Sequence, residues 1–228
     1  FIGASGSNNS VLVSGTNVLW NIGSQSLRIG QGVGGVGNRL LIDGQGVVGG
    51  AMVTNVAALT VGTNGGYSVM TVTNGGRLRT TAKSYIGGAS RGNTALITGA
   101  GSRWDVGSVG LTVGSSASAT GNTLRVDGAG AVVTNVNPLL VGYGSGANEN
   151  LLLITNGGAL YVNGNDLIIG YDSCTNTVIV TGPGSLLAST NSTAPQLSVG
   201  DVSGVPVRPG NLLRVEDGGV VSNLNLWV

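Results

Sequence analysis

The acidic side chains are the residues of this chain that could do chemistry, and there are only nine of them. Cleavage of a glycosidic bond needs two carboxyl groups about 5–10 Å apart. Two pairs come closest in sequence, Asp166 with Asp172 and Glu216 with Asp217. The first pair flanks one predicted strand, and adjacent residues of an extended strand point in opposite directions. The spacing therefore favours solvated turn acids over the alternative, a polysaccharide-cleaving centre.

Other kinds of reactive centre have even less support. The chain has no histidine, which excludes a Ser–His–Asp or Cys–His centre within it. Cys174 is the only cysteine, so no internal disulfide and no Cys/His metal cluster can form. Three roles are open to Cys174: an intermolecular disulfide, a reactive thiol, or an ordinary loop residue without a special role. The last is favoured. The segment 164–172 matches only part of a calcium-binding nonapeptide repeat. We therefore expect no enzymatic activity, no cofactor and no metal.

Composition limits the partners. Charged residues make up 8% of the chain and the net charge is +1, which is too small to indicate binding to nucleic acid or to an acidic membrane. No apolar run approaches the 18 residues of a membrane-spanning helix, so we expect no membrane insertion. Apolar residues, 41% of the chain, alternate with polar ones and can form a core. The abundance of Val, Leu, Ile and Thr favours strands.

An apolar residue followed by glycine recurs along the whole chain at intervals of 25 to 32 residues. A fixed period in this range is typical of repeat architectures. Two residues before each of these apolar positions there is usually a second apolar residue, and period-two alternation places both on one face of a strand. The glycines of this signature are Gly3, Gly30, Gly62, Gly87, Gly114, Gly142, Gly170 and Gly200.

Each period contains two further predicted strands. The first strand of a coil is the one that ends at the signature glycine. The second strand contains an apolar pair, such as Leu124 and Val126, and is followed at once by a glycine turn, such as DGAG at 127–130. The third strand is short, as in ALYV at 159–162 of another coil. Three strands and three turns in about 28 residues predict one coil of a parallel β-helix. The chain is thus predicted to be an all-β, right-handed parallel β-helix of about eight coils. Residues 1–228 form one domain, or a segment of a longer array.

The residue after the second strand predicts how neighbouring coils stack. Acids recur there only every third coil, and hydroxyl side chains between them avoid like-charge repulsion. We expect Arg125 to pair with Asp127, and Arg214 with Glu216, because each pair shares a face of its strand. The residues at this position are Ser14, Asp43, Thr73, Thr98, Asp127, Thr155, Thr181 and Glu216.

Two apolar surfaces are predicted. The outward face of the second strand carries a lateral stripe, defined as Leu12, Leu41, Leu96, Leu153 and Ile179, with Leu140 and Ile168 pointing outward on the first strand. Such a stripe indicates either a partner or a covering loop.

Both chain ends also match the first-strand signature. Phe1, Ile2, Leu226, Trp227 and Val228 are therefore predicted to make end-to-end contacts by β-augmentation, giving a head-to-tail homopolymer. The competing explanation is a next coil in the same polypeptide.

The segments GNTLRVDGAG at 121–130 and LLLITNGGALYVNGNDLIIG at 151–170 resemble the glycine-rich repeats of secreted bacterial β-solenoids. The nearest match is to autotransporter passenger regions and related surface or matrix proteins. The resemblance implies an extracellular or cell-surface location and a structural role in a fibre or surface layer. It leaves open an adhesin that binds glycans through exposed aromatic residues such as Tyr85, Tyr143 and Tyr171. A polysaccharide-active enzyme is the least favoured alternative.

Overall fold

The computed structural model describes residues 1–47, 49–164, 166–191, 195–200 and 208–227. All regular structure in these residues is β-strand. The strands are β1 (Ser10–Ser14), β2 (Leu19–Ile29), β3 (Arg39–Asp43), β4 (Met52–Val61), β5 (Val69–Thr73), β6 (Arg77–Thr80), β7 (Ser84–Ile86), β8 (Thr94–Thr98), β9 (Arg103–Val113), β10 (Thr123–Asp127), β11 (Val132–Tyr143), β12 (Leu151–Thr155), β13 (Ala159–Val162), β14 (Asp166–Tyr171), β15 (Thr177–Thr181), β16 (Leu186–Ser189), β17 (Gln196–Val199), β18 (Leu212–Glu216), β19 (Val220–Ser222) and β20 (Asn225–Trp227).

The described strands form two parallel sheets that wind around one core. The first sheet has eight strands in the order β1-β3-β5-β8-β10-β12-β15-β18, one from each coil. The second has twelve strands, with β19-β16-β13-β11-β9-β6-β4-β2 along its main path. The predicted parallel β-solenoid with a repeat of about 28 residues is therefore confirmed, with about seven turns in place of about eight coils. The difference arises because eight stacked strands enclose seven intervals.

The first sheet has the register that the sequence predicts. Leu124 lies opposite Leu152, and Val126 opposite Ile154, without any shift between the two strands. All four side chains are fully buried. The interior of the solenoid is therefore a stack of aliphatic pairs, one pair from each coil.

The second sheet differs from the prediction of separate short strands. In β2, β4, β9 and β11 the third strand of one coil continues into the first strand of the next, giving runs of 10 to 12 residues. Each run bends at a register irregularity. Asn55 and Asn135 lie at two of these bends with φ of 53° and 59°. Asparagine tolerates this left-handed conformation better than most residues, so the chain turns without ending the ladder.

A column of buried asparagines runs along the solenoid just before the strands of the first sheet. The backbone N–H and the Nδ2 of Asn122 both donate to Oδ1 of Asn150, each at 3.0 Å. Asn150 donates in the same way to Asn176 in the next coil. We call this column the asparagine ladder. Its members are Asn9, Asn38, Asn93, Asn122, Asn150, Asn176 and Asn211, and Ser68 replaces asparagine in the third coil.

The asparagine ladder explains the glycine signature. A Cβ atom placed on Gly114 would fall within the side chain of Asn150, and one on Gly87 within that of Asn122. All eight signature glycines also have φ between 68° and 88°, a conformation that a side chain resists. At six of the eight positions glycine is therefore required for two reasons: the backbone conformation and the asparagine lying against it.

Candidate functional site

The two ends of the solenoid carry unpaired strand edges in the described residues. At one end β1 pairs only with β3, and the first part of β2 only with β4. Ile2 adds a single bridge to Ile29. At the other end β18, β19 and β20 pair only with β15, β16 and β17. Such edges are templates for pairing with another strand.

Interior side chains are exposed where the last coil lacks a neighbour. Val215 occupies the same position as Val180, which is fully buried, yet Val215 is 44% exposed. Leu213, next along the same inward face, is half-buried. At the opposite end Val11 is half-buried, whereas its neighbour Leu40 is 1% exposed. Both ends therefore leave some interior side chains partly uncovered, although Val13 in β1 is buried, and another coil would cover them.

The predicted end-contact residues differ in their surroundings. Phe1 is 73% exposed, with the guanidinium of Arg28 5.7 Å from its ring centroid. Ile2 is buried by its own chain. Leu226 is 58% exposed, and the backbone of Trp227 pairs with Ser198. Val228 lies outside the described residues. The contact itself stays a prediction.

The lateral stripe lies in a single row across the first sheet, as the register shows. Leu12 is opposite Leu41, and Leu153 is opposite Ile179. Thr71 and Arg125 interrupt the row on either side of Leu96. Leu12 is 64% exposed and the other four are half-buried. The stripe is therefore a discontinuous set of partly covered side chains. Leu140, expected to point into solvent, is buried.

A strip of aromatic rings lies on the second sheet. Tyr143 and Tyr171 stack with their ring centroids 5.0 Å apart. Nζ of Lys83 lies 5.6 Å from the ring centroid of Tyr143 and 5.7 Å from that of Tyr85. The Lys83 side chain passes over Gly110, where a Cβ atom would contact its methylene groups. The sequence indicated the three tyrosines, but only the fold brings Lys83 between them.

Three of the described acids form ion pairs with arginines. Oδ1 of Asp172 accepts from Nη2 of Arg208 at 2.6 Å. The two predicted ion pairs are present, with Arg125–Asp127 at 2.9 Å and Arg214–Glu216 at 3.1 Å. The described part of the chain contains no group of three residues suited to hold a metal ion. Asp201 lies outside the described residues.

A shallow cleft of about 420 Å³ lies on the second sheet beside two arginines. Arg77 and Arg103 are direct neighbours in the parallel register, both exposed. Gly101 and Gly130 also line it and contribute no side chains. Neither arginine takes part in an ion pair with a described acid. The two guanidinium groups give this region positive charge, and like charges on neighbouring strands destabilise a sheet slightly.

Sequence reasoning missed the asparagine ladder, although a signal for it is present. Asparagine stands two residues before the first inward residue of the second strand in every coil but one, as in Asn122 before Leu124. Asparagine is also common in turns, so this column did not stand out from the many other turn asparagines.

Comparisons of the chain with protein-family models, with curated proteins and with solved structures each find no match. Among the described residues there is no helix long and apolar enough to cross a membrane. The resemblance to secreted bacterial repeats therefore stays a prediction, and the β-solenoid architecture rests on the structure.

Proposed function

We propose that this protein is a structural component that forms filaments by end-to-end stacking of solenoids. One observation carries the proposal: both described ends leave parallel strand edges and core side chains uncovered. Val215 shows this most directly, because the residue at this position, valine or isoleucine, is fully buried in every inner coil, and one more coil would bury Val215 in the same way. Burial of apolar surface and pairing of strand edges both favour stacking.

The stacking geometry follows from the parallel sheets. The edge of β18 in one copy would pair with the edge of β1 in the next, as β15 pairs with β18 within the chain. The two surfaces in such a contact are different, so the contact does not close on itself. A filament of uniform direction results. The repeat style also suggests an extracellular or cell-surface fibre or layer, built from chains that have no internal disulfide.

Filament formation can be tested by electron microscopy and sedimentation of the purified 228-residue chain. The key variant is Val215→Asp, which would put a carboxylate into the interior of a stacked junction, where burial of an unpaired charge costs several kcal/mol. The matched control is Leu212→Asp. Leu212 is in the same strand and also 44% exposed, but it faces outward and would stay solvated after stacking.

We expect filaments from the parent chain and from Leu212→Asp, and single particles from Val215→Asp. A parent chain that stays monomeric at all concentrations would refute the proposal. Equal filament formation by both variants would refute the end-to-end geometry.

A glycan-binding adhesin is the second candidate, favoured by the aromatic strip. Ring faces carry partial negative charge and attract the C–H groups of a sugar ring, while Lys83 can donate to a sugar carboxylate. The strip would extend along the solenoid surface, open to an extended ligand. A glycan array tests this with Tyr143→Ala and Lys83→Gln, and with Tyr67→Ala as a control away from the strip. Binding that all three variants retain, or no binding by the parent, would remove this candidate.

A further inference from the structure

Charge is distributed very unevenly along the sequence. The first 114 residues contain seven cations and two acids, a net charge of +5, whereas the last 114 contain three cations and seven acids, a net charge of −4. The overall value of +1 conceals this difference. The cations of the first half are Arg28, Arg39, Arg77, Arg79, Lys83, Arg91 and Arg103, and the acids of the second are Asp127, Glu149, Asp166, Asp172, Asp201, Glu216 and Asp217.

The solenoid converts this sequence difference into a spatial one. Strands of the first sheet stack in chain order, so the strand of each coil pairs only with those of the coil before it and the coil after it. Neighbouring parallel strands are about 4.8 Å apart, so distance along the axis follows position in the chain. The first four coils therefore form a basic half of the rod, and the remaining coils form an acidic half.

The two halves also differ in their ion pairs. All three ion pairs between described residues lie in the acidic half and involve Arg125, Arg208 and Arg214, which are its only cations. In the basic half no described cation has an acid within ion-pair distance. Arg28, Lys83 and Arg91 instead lie over aromatic rings, and Arg77 lies beside Arg103. Each half therefore keeps its net charge, although Arg79 lies opposite Asp105 in the register of the basic half.

We propose that this axial charge difference orients and accelerates the association of two copies, so that the acidic end of one meets the basic end of the next. This inference rests on the proposed function. The partner is a second copy because the chain carries complementary charge and complementary strand edges at its two ends. Two basic ends would repel each other, as would two acidic ends, and complementary potentials are known to steer encounters and suppress wrong orientations.

Salt screening determines how many of the charges in each half influence the approach of another copy. At 0.15 M salt the Debye length is about 8 Å, less than the thickness of two coils, so only charges near the junction contribute. At 0.01 M it is about 30 Å, which spans most of the rod. We expect filament elongation to slow roughly tenfold or more between these two salt concentrations, because steering acts mainly on the association rate. Apolar contacts at the junction are less sensitive to salt.

The experiment measures elongation rates of the 228-residue chain by light scattering from 0.01 to 0.5 M NaCl. The test variant is Arg77→Gln/Arg79→Gln/Arg103→Gln, which removes three charges from exposed positions of the basic half. The matched control, Arg77→Lys/Arg79→Lys/Arg103→Lys, changes the same side chains and keeps their charge. Cryo-electron microscopy of the filaments shows in which direction each copy points along the filament axis.

The expected result is a polar filament whose elongation slows with salt. The glutamine variant should elongate more slowly at low salt with a weaker salt dependence, and the lysine variant should match the parent. Filaments that elongate at the same rate at all salt concentrations, or that contain copies in both directions, would overturn this inference and leave filament formation intact. An absence of filaments under every condition would instead overturn the proposed function.

Discussion

The inner coils and the end coils of this solenoid have the same sequence pattern but very different surroundings. Ile154, in an inner coil, is fully buried between Val126 and Val180. Val215, at the equivalent position of the last coil, is 44% exposed. This difference in exposure shows that a single coil has no core of its own. Its interior is completed by the coil on each side, as expected for an architecture whose repeats contact only their neighbours.

The polar interior shows the same dependence. Asn150 is fully buried, and its side chain both accepts from the preceding coil and donates to the following one. Asn9, at the end, is exposed and has a ladder partner on one side only. Substitution of an interior residue in an inner coil should therefore cost more than the same substitution near an end. Three predictions test this comparison, and a fourth restores asparagine at the one inner position of the ladder that lacks it.

The largest effect is expected from Ile154→Asp compared with Val215→Asp. A carboxylate at the inner position would be an unpaired buried charge, costing about 3–5 kcal/mol, a large part of the stability of a typical domain. Val215→Asp should cost about 1 kcal/mol at most, because the side chain can reach water. Circular dichroism and solubility would show loss of folding for the first variant only. If Ile154→Asp folds like the parent, the proposed interior register is wrong.

The next effect is expected from Gly114→Ala compared with Gly200→Ala. Both glycines have positive φ, which costs an L-residue about 1–2 kcal/mol. At Gly114 the new methyl group would also overlap Asn150, whereas no described atom lies within 4 Å of the Cβ position at Gly200. We expect a loss of about 3 kcal/mol at Gly114 and about half of that at Gly200, from urea unfolding of both variants. Equal losses would show that asparagine packing adds nothing to the backbone effect.

A smaller effect is expected from Asn150→Ser compared with Asn9→Ser. Serine is too short to accept from Asn122, whose buried N–H and Nδ2 would lose their acceptor at a cost of about 1–3 kcal/mol. Asn9 is exposed, so water can replace its lost contacts, and we expect less than about 1 kcal/mol there. Thermal unfolding of the two variants would measure the difference. A larger loss at Asn9 than at Asn150 would contradict the dependence on neighbouring coils.

The smallest effect is a gain. Ser68 interrupts the asparagine ladder, and its buried Oγ has no hydrogen-bond partner in the described structure. Ser68→Asn would place an acceptor beside Asn38 and a donor beside Asn93, and Gly30 already leaves space for the side chain. We expect a stabilisation of about 0.5–1.5 kcal/mol, seen as a higher melting temperature. A decrease would show that the third coil differs in shape from its neighbours.

Several features of the fold could be predicted because they are local or periodic. The glycine spacing gave the coil length, and alternation within 123–127 and 151–155 identified inward residues that the register confirms. The ion pairs of Arg125 and Arg214 followed from spacing within one strand. The glycine turn predicted at DGAG, 127–130, is present, with positive φ at Gly128 and Gly130. Each of these depends on a few neighbouring residues or on strict repetition.

The candidate surfaces were less predictable because they depend on residues far apart in sequence. The sequence placed the lateral stripe on one face of the first sheet, but it did not predict that four of its five side chains are half-buried. Lys83 reaches Tyr143 across an intervening coil, a contact that no spacing rule identifies. The strand continuity across the bends also escaped prediction, because pairing resumes at Val56 and Val136, directly after Asn55 and Asn135, where the pattern suggested a break.

The repeat length and the inward and outward faces of the strands can be read from the amino-acid order, because alternation and glycine spacing reflect local backbone geometry. The charge of each half follows from composition alone. Stacking of the coils is needed to know which side chains a neighbouring coil covers: the partners of the asparagine ladder, the burial of Leu140 and the exposure of Val215. These follow from stacking, in which each coil supplies the environment of the next, so a residue's role depends on its position along the axis as well as on its type.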